Sequence, residues 1–167
     1  MEGRDTVVFD IDNTLVDSRE RFKRSLHEAS GGRAETIDQL NKEEMRRFWE
    51  VFLSPKYIEL DKPMYEAIEE VLERARRGYY IVILTGRPEK LRSHTEKQLD
   101  RFGIPYDRLI MRANGDYRKD YEYKSSMLKR LLEEGLNIVE YHEDLSRTIQ
   151  TVRERFPWIK VCHHRPR

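Results

Sequence analysis

Residues 7–15 read Val-Val-Phe-Asp-Ile-Asp-Asn-Thr-Leu, an apolar run that drives straight into two acids, Asp10 and Asp12, followed by the hydroxyl of Thr14. Neighbouring carboxylates repel, and a strand end alone gives no reason to hold them together; a divalent cation or a phosphoryl group does. Further along, "YYIVIL" (79–84) runs into Thr85-Gly86-Arg87, and "NIVEYHED" (137–144) runs into Glu143 and Asp144. Lys124 opens the helical stretch before that last strand. Carboxylates, hydroxyls, an Arg and a Lys gathered at strand ends are a magnesium and phosphate inventory. They offer hard oxygen ligands to the ion, and donors and cations to phosphoryl oxygens. A bare Asp-x-Asp is more often a turn or cap; it is the ordered set with Thr85, Lys124 and Asp144 that points to catalysis.

Apolar runs that must position these residues fall at 6–11 and 79–84, with shorter ones at 109–111, 138–141 and 159–162. Their near-continuous apolarity predicts strands buried on both faces of a parallel sheet. Between them, Pro63 opens a helix that runs to Arg77 and stops at Gly78, and Pro88 opens one that ends before Gly103. "KSSMLKRLLEEG" closes at Gly135, and Ser146 caps a last helix ahead of Pro157. The expected fold class is α/β, an open parallel sheet with helices on both faces, in which ligands collect at the carboxyl ends of strands. Residues 17–62 break the rhythm with "SRERFKRSLHEAS" and "NKEEMRRFWEVFL", the second opening on an Asn-x-x-Glu capping-box pattern. They read as a helical insertion or small cap within a single 1–167 domain, with Phe48, Trp49 and Phe52 as its packing face.

The length, 167 residues, suits one domain with a real core. Thirty-two basic residues against 31 acidic ones give no whole-chain pull toward nucleic acid or membrane. Residues 87–130, however, hold twelve Lys and Arg against seven Asp and Glu. The charged fraction, 38%, fits an ion-paired surface of the kind thermophilic proteins use. A single cysteine, Cys162, precludes an internal disulfide and reads as a buried thiol in a reducing compartment. No apolar run reaches membrane-span length and no signal-peptide pattern opens the chain, so a cytoplasmic protein is expected. His142 reads as packing beside its strand end, and His163 and His164 as an exposed tail.

Asp-x-Asp-x-Thr after the first strand, Thr after the second, a Lys, and an acidic pair after the fourth together resemble the haloacid dehalogenase superfamily, specifically its phosphatases. The resemblance spans nearly the whole chain. Gly115-Asp116-x-Arg118-Lys119-Asp120-x-x-x-Lys124, with Thr85-Gly86-Arg87, looks more closely like the phosphatase half of phage polynucleotide kinase-phosphatase, which removes 3′-phosphates from nucleic-acid ends. Four departures stand out. No GxxxxGK[ST] loop occurs, so a kinase half is not expected. The acidic pair is Glu-Asp rather than Asp-Asp, and Asn13 stands where Gly is frequent. The helical insertion has no matching counterpart.

The resemblance implies roles. Asp10 is the nucleophile that forms an aspartyl-phosphate. Its other oxygen, the Asp12 backbone carbonyl and Asp144 hold Mg²⁺, with Glu143 acting through water. Asp12 protonates the leaving alcohol and then activates water. Its carboxyl, with an ordinary pKa of about 3.9, must then be kept protonated by burial or neighbouring carboxylates. Thr85 and Lys124 bind the transferring phosphoryl group, Thr14 lies on the substrate side, and Asp120 orients the Lys124 ammonium. Arg87 reaches a substrate phosphate, and Arg118 and Lys119 touch a nucleic-acid backbone. An extra Arg after the first motif is Arg19 or Arg21. Two other readings stand beside a polynucleotide 3′-phosphatase: a phosphatase of nucleotides or other small esters, and a receiver-like module phosphorylated without turnover. Receivers place the accepting Asp on a later strand, which disfavours the last.

Overall fold

The computed structural model describes residues 4–167. Five parallel strands form one sheet: β1 (Asp5–Phe9), β4 (Tyr80–Pro88), β5 (Arg108–Arg112), β6 (Asn137–Glu143) and β7 (Lys160–His163), in the order β5-β4-β1-β6-β7. The open parallel α/β sheet expected from the apolar runs is the one found. β1 is central, and its side chains alternate between two cores, as the strand period requires. Val7 and Phe9 join Ile81, Ile83 and the Ala67–Ile68–Val71 face of α3 (Tyr65–Arg76). Val8 joins Val82, Leu84, Tyr123, Leu128 and Val152, packing against α5 (Asp120–Glu133) and α6 (Ser146–Arg155). β5 and β7 form the two edges.

Several boundaries differ from the sequence expectation, each for a local reason. β1 ends at Phe9, although the Asp10 N–H still donates to the His142 carbonyl at 3.0 Å. Beyond it the chain coils tightly: the N–H groups of Thr14, Leu15 and Val16 all donate to the Ile11 carbonyl. Asn13 takes a left-handed φ of 62°, a conformation Asn tolerates better than most residues, which accounts for its standing in a Gly position. Pro63 does not open a helix. It lies in β3 (Lys62–Pro63), which pairs antiparallel with β2 (Val16–Asp17), and the Met64 N–H donates to the Leu15 carbonyl before α3 begins. Pro88 closes β4, and a 3₁₀ turn precedes α4 (Arg92–Arg101). α5 starts at Asp120, so Lys124 sits one turn inside it rather than at its opening. Ser146 is the first helical residue of α6, with Leu145 as its cap. Cys162 is half-buried, not fully buried.

Residues 17–62 leave and return through the β2–β3 ribbon and hold α1 (Arg19–Ser30) and α2 (Lys42–Phe52). The capping box forms in both directions: Asn41 Oδ1 accepts from the Glu44 N–H at 2.9 Å, and Glu44 Oε1 accepts from the Asn41 N–H at 3.0 Å. Phe48 is buried with Leu26, Ala29 and Ala34, flanked by Phe22 and Phe52, as a small core of its own. Trp49 meets Phe48 edge-on but is largely exposed. No helix among the described residues is long and apolar enough to cross a membrane.

Candidate active site

The carboxyl ends of β1, β4 and β6 deliver Asp10, Thr85 and Glu143 to one edge, and α5 lays Lys124 across them. Asp10 is only 5% exposed. Its Oδ1 lies 2.7 Å from Lys124 Nζ, and its Oδ2 accepts from the Thr14 hydroxyl at 3.0 Å. The same ammonium, itself 1% exposed, reaches Glu143 Oε1 at 2.8 Å and Asp120 Oδ1, one helical turn back, at 3.6 Å. Asp120 is fixed in turn by the Thr148 hydroxyl at 2.6 Å. Gly86 leaves it room, since a Cβ there would meet Asp120 Oδ1 at 3.3 Å.

Glu143 is occupied by the protein. Oε1 accepts from Lys124 and from the Tyr141 hydroxyl, and Oε2 accepts from the N–H groups of Asp144 and Leu145. Asp10, Glu143 and Asp144 place ligating oxygens within 4.8 Å of one another. Burial opposes ionisation of Glu143, but Lys124 and these donors hold its pKa down at about 2. Burial and then the adjacent Glu143 push Asp144 up to about 8. Burial and Glu143 likewise raise Asp10, with Lys124 opposing. Burial would lower Lys124, yet Asp10, Asp120 and Glu143 outweigh it and keep the amine charged. One ammonium thus faces three clustered acids. An all-oxygen, charge-deficient set of this kind fits a hard divalent cation.

A second charge cluster borders the first. Asp12 receives Arg87 through Nε at 3.0 Å and Nη2 at 2.8 Å, and receives Arg21 Nη2 as well. Both arginines also reach Asp61: Arg21 Nε at 3.0 Å and Arg87 Nη2 at 3.3 Å. Gln98 Nε2 donates to the same carboxylate at 2.9 Å. The four side chains form a closed ring that links the Asp-x-Asp turn, α1, the segment before β3, and β4. Of the two arginines left open by the sequence, Arg21 lies in this ring, fully buried, while Arg19 is exposed on Asp17. Burial works against ionisation of Asp12, but Arg21 and Arg87 hold its carboxyl far below the ordinary range. The expectation that burial or other carboxylates keep Asp12 protonated is therefore corrected, because two guanidiniums outweigh both.

The structure brings Asp10, Asp12, Thr14, Thr85, Arg87, Asp120, Lys124, Glu143 and Asp144 together. The Thr85 hydroxyl, buried, accepts from the Arg87 N–H at 3.1 Å, and its carbonyl accepts from the Tyr123 hydroxyl at 2.9 Å. Arg118 stands apart: it is exposed and tied to Asp116 at 2.8 Å, with no hydrogen bond or ion pair to the cluster. His142 stacks on Phe9 with ring centroids 4.1 Å apart, as packing predicts. His164 is not part of an exposed tail but stacks on His142 at 5.0 Å. Sequence reasoning missed Asp61 and Gln98. Neither sits in a motif, and only the burial of two arginines shows that an acid must lie between them.

A parallel sheet with an Asp-x-Asp turn after its central strand and an acid–lysine cluster at its carboxyl edge is the arrangement expected of the haloacid dehalogenase superfamily. The family model for haloacid dehalogenase superfamily subfamily IIIB (acid phosphatase) matches residues 1–155, and the chain belongs to that family. No curated protein matches the sequence. Among solved structures, the fold is similar to a chain of the Pnkp1/Rnl/Hen1 complex, with a TM-score of 0.70 and 20% identity over 96% of this chain and 45% of that one. This chain therefore spans less than half of that relative's length. It is also similar to a haloacid dehalogenase-like hydrolase of Streptococcus pneumoniae (TM-score 0.69, 16% identity, 96% and 83% covered). A predicted phosphoglycolate phosphatase of Haemophilus somnus is a further neighbour (TM-score 0.65, 17% identity, 89% and 80% covered).

Asp61→Ala leaves two buried guanidiniums short of a counter-charge and should destabilise the protein by about 3–5 kcal/mol in urea denaturation. A loss below about 1 kcal/mol would show that the arginines re-pair elsewhere. Cation binding should also depend on pH with a defined sign. Asp144, with its pKa near 8, must lose its proton to ligate, so apparent affinity should fall toward a limit of about tenfold per pH unit below 8 and level off above it. Calorimetric titration with a divalent cation between pH 6 and 9 checks this; a flat profile would mean that Asp144 is already ionised.

Proposed function

We propose that this protein is a Mg²⁺-dependent phosphomonoesterase that works through an aspartyl-phosphate and removes 3′-phosphates from polynucleotide ends. The observation that carries the chemistry is the fixing of Asp10 between Lys124 Nζ and the Thr14 hydroxyl, with Asp144 alongside. Asp10, Asp144 and the Asp12 carbonyl would hold Mg²⁺. Glu143, whose acceptor sites are taken by Lys124, Tyr141 and the Asp144 and Leu145 N–H groups, would contribute its charge rather than a water-mediated contact, correcting the expectation from sequence. The bound ion would withdraw charge from the phosphoryl oxygens. An Asp10 oxygen bonds to phosphorus as the bond to the leaving sugar oxygen breaks. Lys124 and Thr85 neutralise and bind the transferring group. Asp12 supplies the leaving oxygen with a proton, then takes one from the water that hydrolyses the intermediate and frees Asp10. In the free protein Asp12 is ionised against Arg21 and Arg87. An incoming phosphate offers both guanidiniums a stronger bidentate partner, and their transfer to it releases Asp12 to take up a proton.

The polynucleotide assignment rests on the 115–124 pattern and on the fold likeness to a chain of an RNA repair complex. Next to Asp120 the surface also carries Tyr117, 93% exposed, and Lys119, which has no ion pair among the described residues. Together they offer a stacking face and a backbone contact, and one stacked base is worth about 1–3 kcal/mol. The second reading, a small-ester phosphatase, gains from the neutralised rim. Arg87 lies inside, Arg92 is paired with Glu89 and Glu96, and Arg118 with Asp116.

Asp10→Asn should keep the fold and lower turnover by roughly a thousandfold or more, since an amide forms no acyl-phosphate. Chelation should abolish wild-type activity and Mg²⁺ restore it. Near-normal turnover in the mutant, or full activity in excess chelator, defeats the mechanism. For the substrate, phosphate release from 3′- and 5′-phosphorylated oligonucleotides is compared with release from free nucleotides. Tyr117→Ala and Lys119→Ala should raise KM for the 3′-phosphorylated oligomer and spare nitrophenyl phosphate. Lys119→Ala should also flatten the slope of log K against log salt by roughly 0.7–0.9. If free nucleotides give the highest kcat/KM, the small-ester reading takes its place.

A further inference from the structure

On the opposite face of β6 from Lys124, a second set of ligating atoms converges. His142 Nδ1 lies 2.8 Å from His164 Nε2, and Glu70 Oε2 of α3 lies 3.6 Å from the first and 3.5 Å from the second. The other nitrogen of His142, Nε2, is 2.9 Å from Glu140 Oε1, and both Glu140 oxygens accept from Arg74 at 3.1 Å. A carboxylate so engaged can only accept, so His142 Nε2 carries the proton and Nδ1 presents a lone pair. Glu70 Oε2 is buried and has no hydrogen-bond partner among the described residues. His164 Nε2 has one proton at most to offer, and Glu70 lies at the limit of its reach. An all-protein arrangement satisfies the His142 nitrogen and leaves the Glu70 oxygen orphaned.

We propose that Glu70, His142 and His164 form a binding site for a divalent transition-metal ion of the Zn²⁺ type. The spacing allows a point about 2 Å from all three atoms, which is the length of Zn–N and Zn–O bonds. Glu140 supplies the carboxylate that ligating histidines typically engage through their second nitrogen, fixing tautomer and ring orientation. Two imidazoles and one carboxylate suit a borderline ion, whereas Mg²⁺ prefers oxygen alone. Cys162 lies near the same imidazole, but the acid grouped with it, Glu140, is committed to Arg74. The set around Nδ1 is therefore the better one.

The site is separate from the Asp10–Glu143–Asp144 oxygens and independent of the phosphatase reading. It bears on that region only by position. The His164 N–H donates to the Glu143 carbonyl at 2.9 Å, and His163 Nε2 lies 2.9 Å from the Asp144 carbonyl. An ion held by α3, β6 and His164 staples the C-terminal segment beneath the turn that presents the acids.

The test uses untagged full-length protein in excess Mg²⁺, with Asp144→Ala as a parallel background that disables the carboxylate site. Zn²⁺ is titrated by calorimetry and retained metal is counted after gel filtration. Co²⁺ substitution reports nitrogen ligation in the visible spectrum. We expect one equivalent of Zn²⁺ to bind in both backgrounds and raise the melting temperature. His164→Ala and Glu70→Gln, both at positions that leave the sheet intact, should weaken binding by more than the roughly 10- to 100-fold that loss of an outer-sphere partner brings. Absence of stoichiometric Zn²⁺ in the Asp144→Ala background overturns the proposal, as does Zn²⁺ affinity unchanged by His164→Ala.

Discussion

One ammonium group organises this protein's reactive edge. Lys124 Nζ is buried, and a buried cation persists only where acids surround it closely enough to replace its hydration. Asp10 and Glu143 do so at 2.7 and 2.8 Å, from two strands adjacent in the sheet. That requirement fixes the geometry around it. β1 and β6 must end level with one another, α5 must cross their carboxyl ends, and Asp120 must stand one turn before the lysine. The parallel sheet makes such convergence possible because every strand delivers its last residue to the same edge. The remaining acid, Asp144, is raised first by its burial and then by the adjacent Glu143, more than Lys124 offsets.

The adjoining ring of Asp12, Arg21, Asp61 and Arg87 solves a different problem. It ties the helical insertion to the sheet through charge, while the insertion keeps its own small core around Phe48. The two arginines therefore answer to both bodies at once. Their hold on Asp12 sets the resting ionisation of the site: with both guanidiniums in place its carboxyl stays deprotonated.

Most of the reactive edge is legible in the sequence because it lies at the ends of strands whose apolar runs are unambiguous. Asp10, Thr85, Lys124 and the Glu143–Asp144 pair each follow or precede such a run, and order along the chain maps onto position in the sheet. The failures share a cause. Pro63 and Pro88 carry the signature of a helix start, but each is taken by strand pairing that depends on a partner far away in sequence. Asp61 has no local pattern, since its importance arises from arginines 40 and 26 positions distant. His164 reads as tail because nothing in its own neighbourhood reveals the imidazole it packs on. Protonation was the least legible property: Asp12 looks like an acid among acids until the two guanidiniums are placed.

The edges of the sheet carry a consequence for self-association. β5 presents Arg108 and Arg112 at its two ends, one paired with Glu134 and the other donating to the Gly86 and Arg118 carbonyls. If two copies added their β5 edges antiparallel about Ile110, Arg108 of one would stand opposite Arg112 of the other, and like charges directly across strands are unfavourable. At the other edge β7 is only four residues long and opens with Lys160. Short strands and basic residues at exposed edges discourage strand addition. The same parallel sheet that gathers the reactive groups is thereby kept from serving as a template for fibrous aggregation.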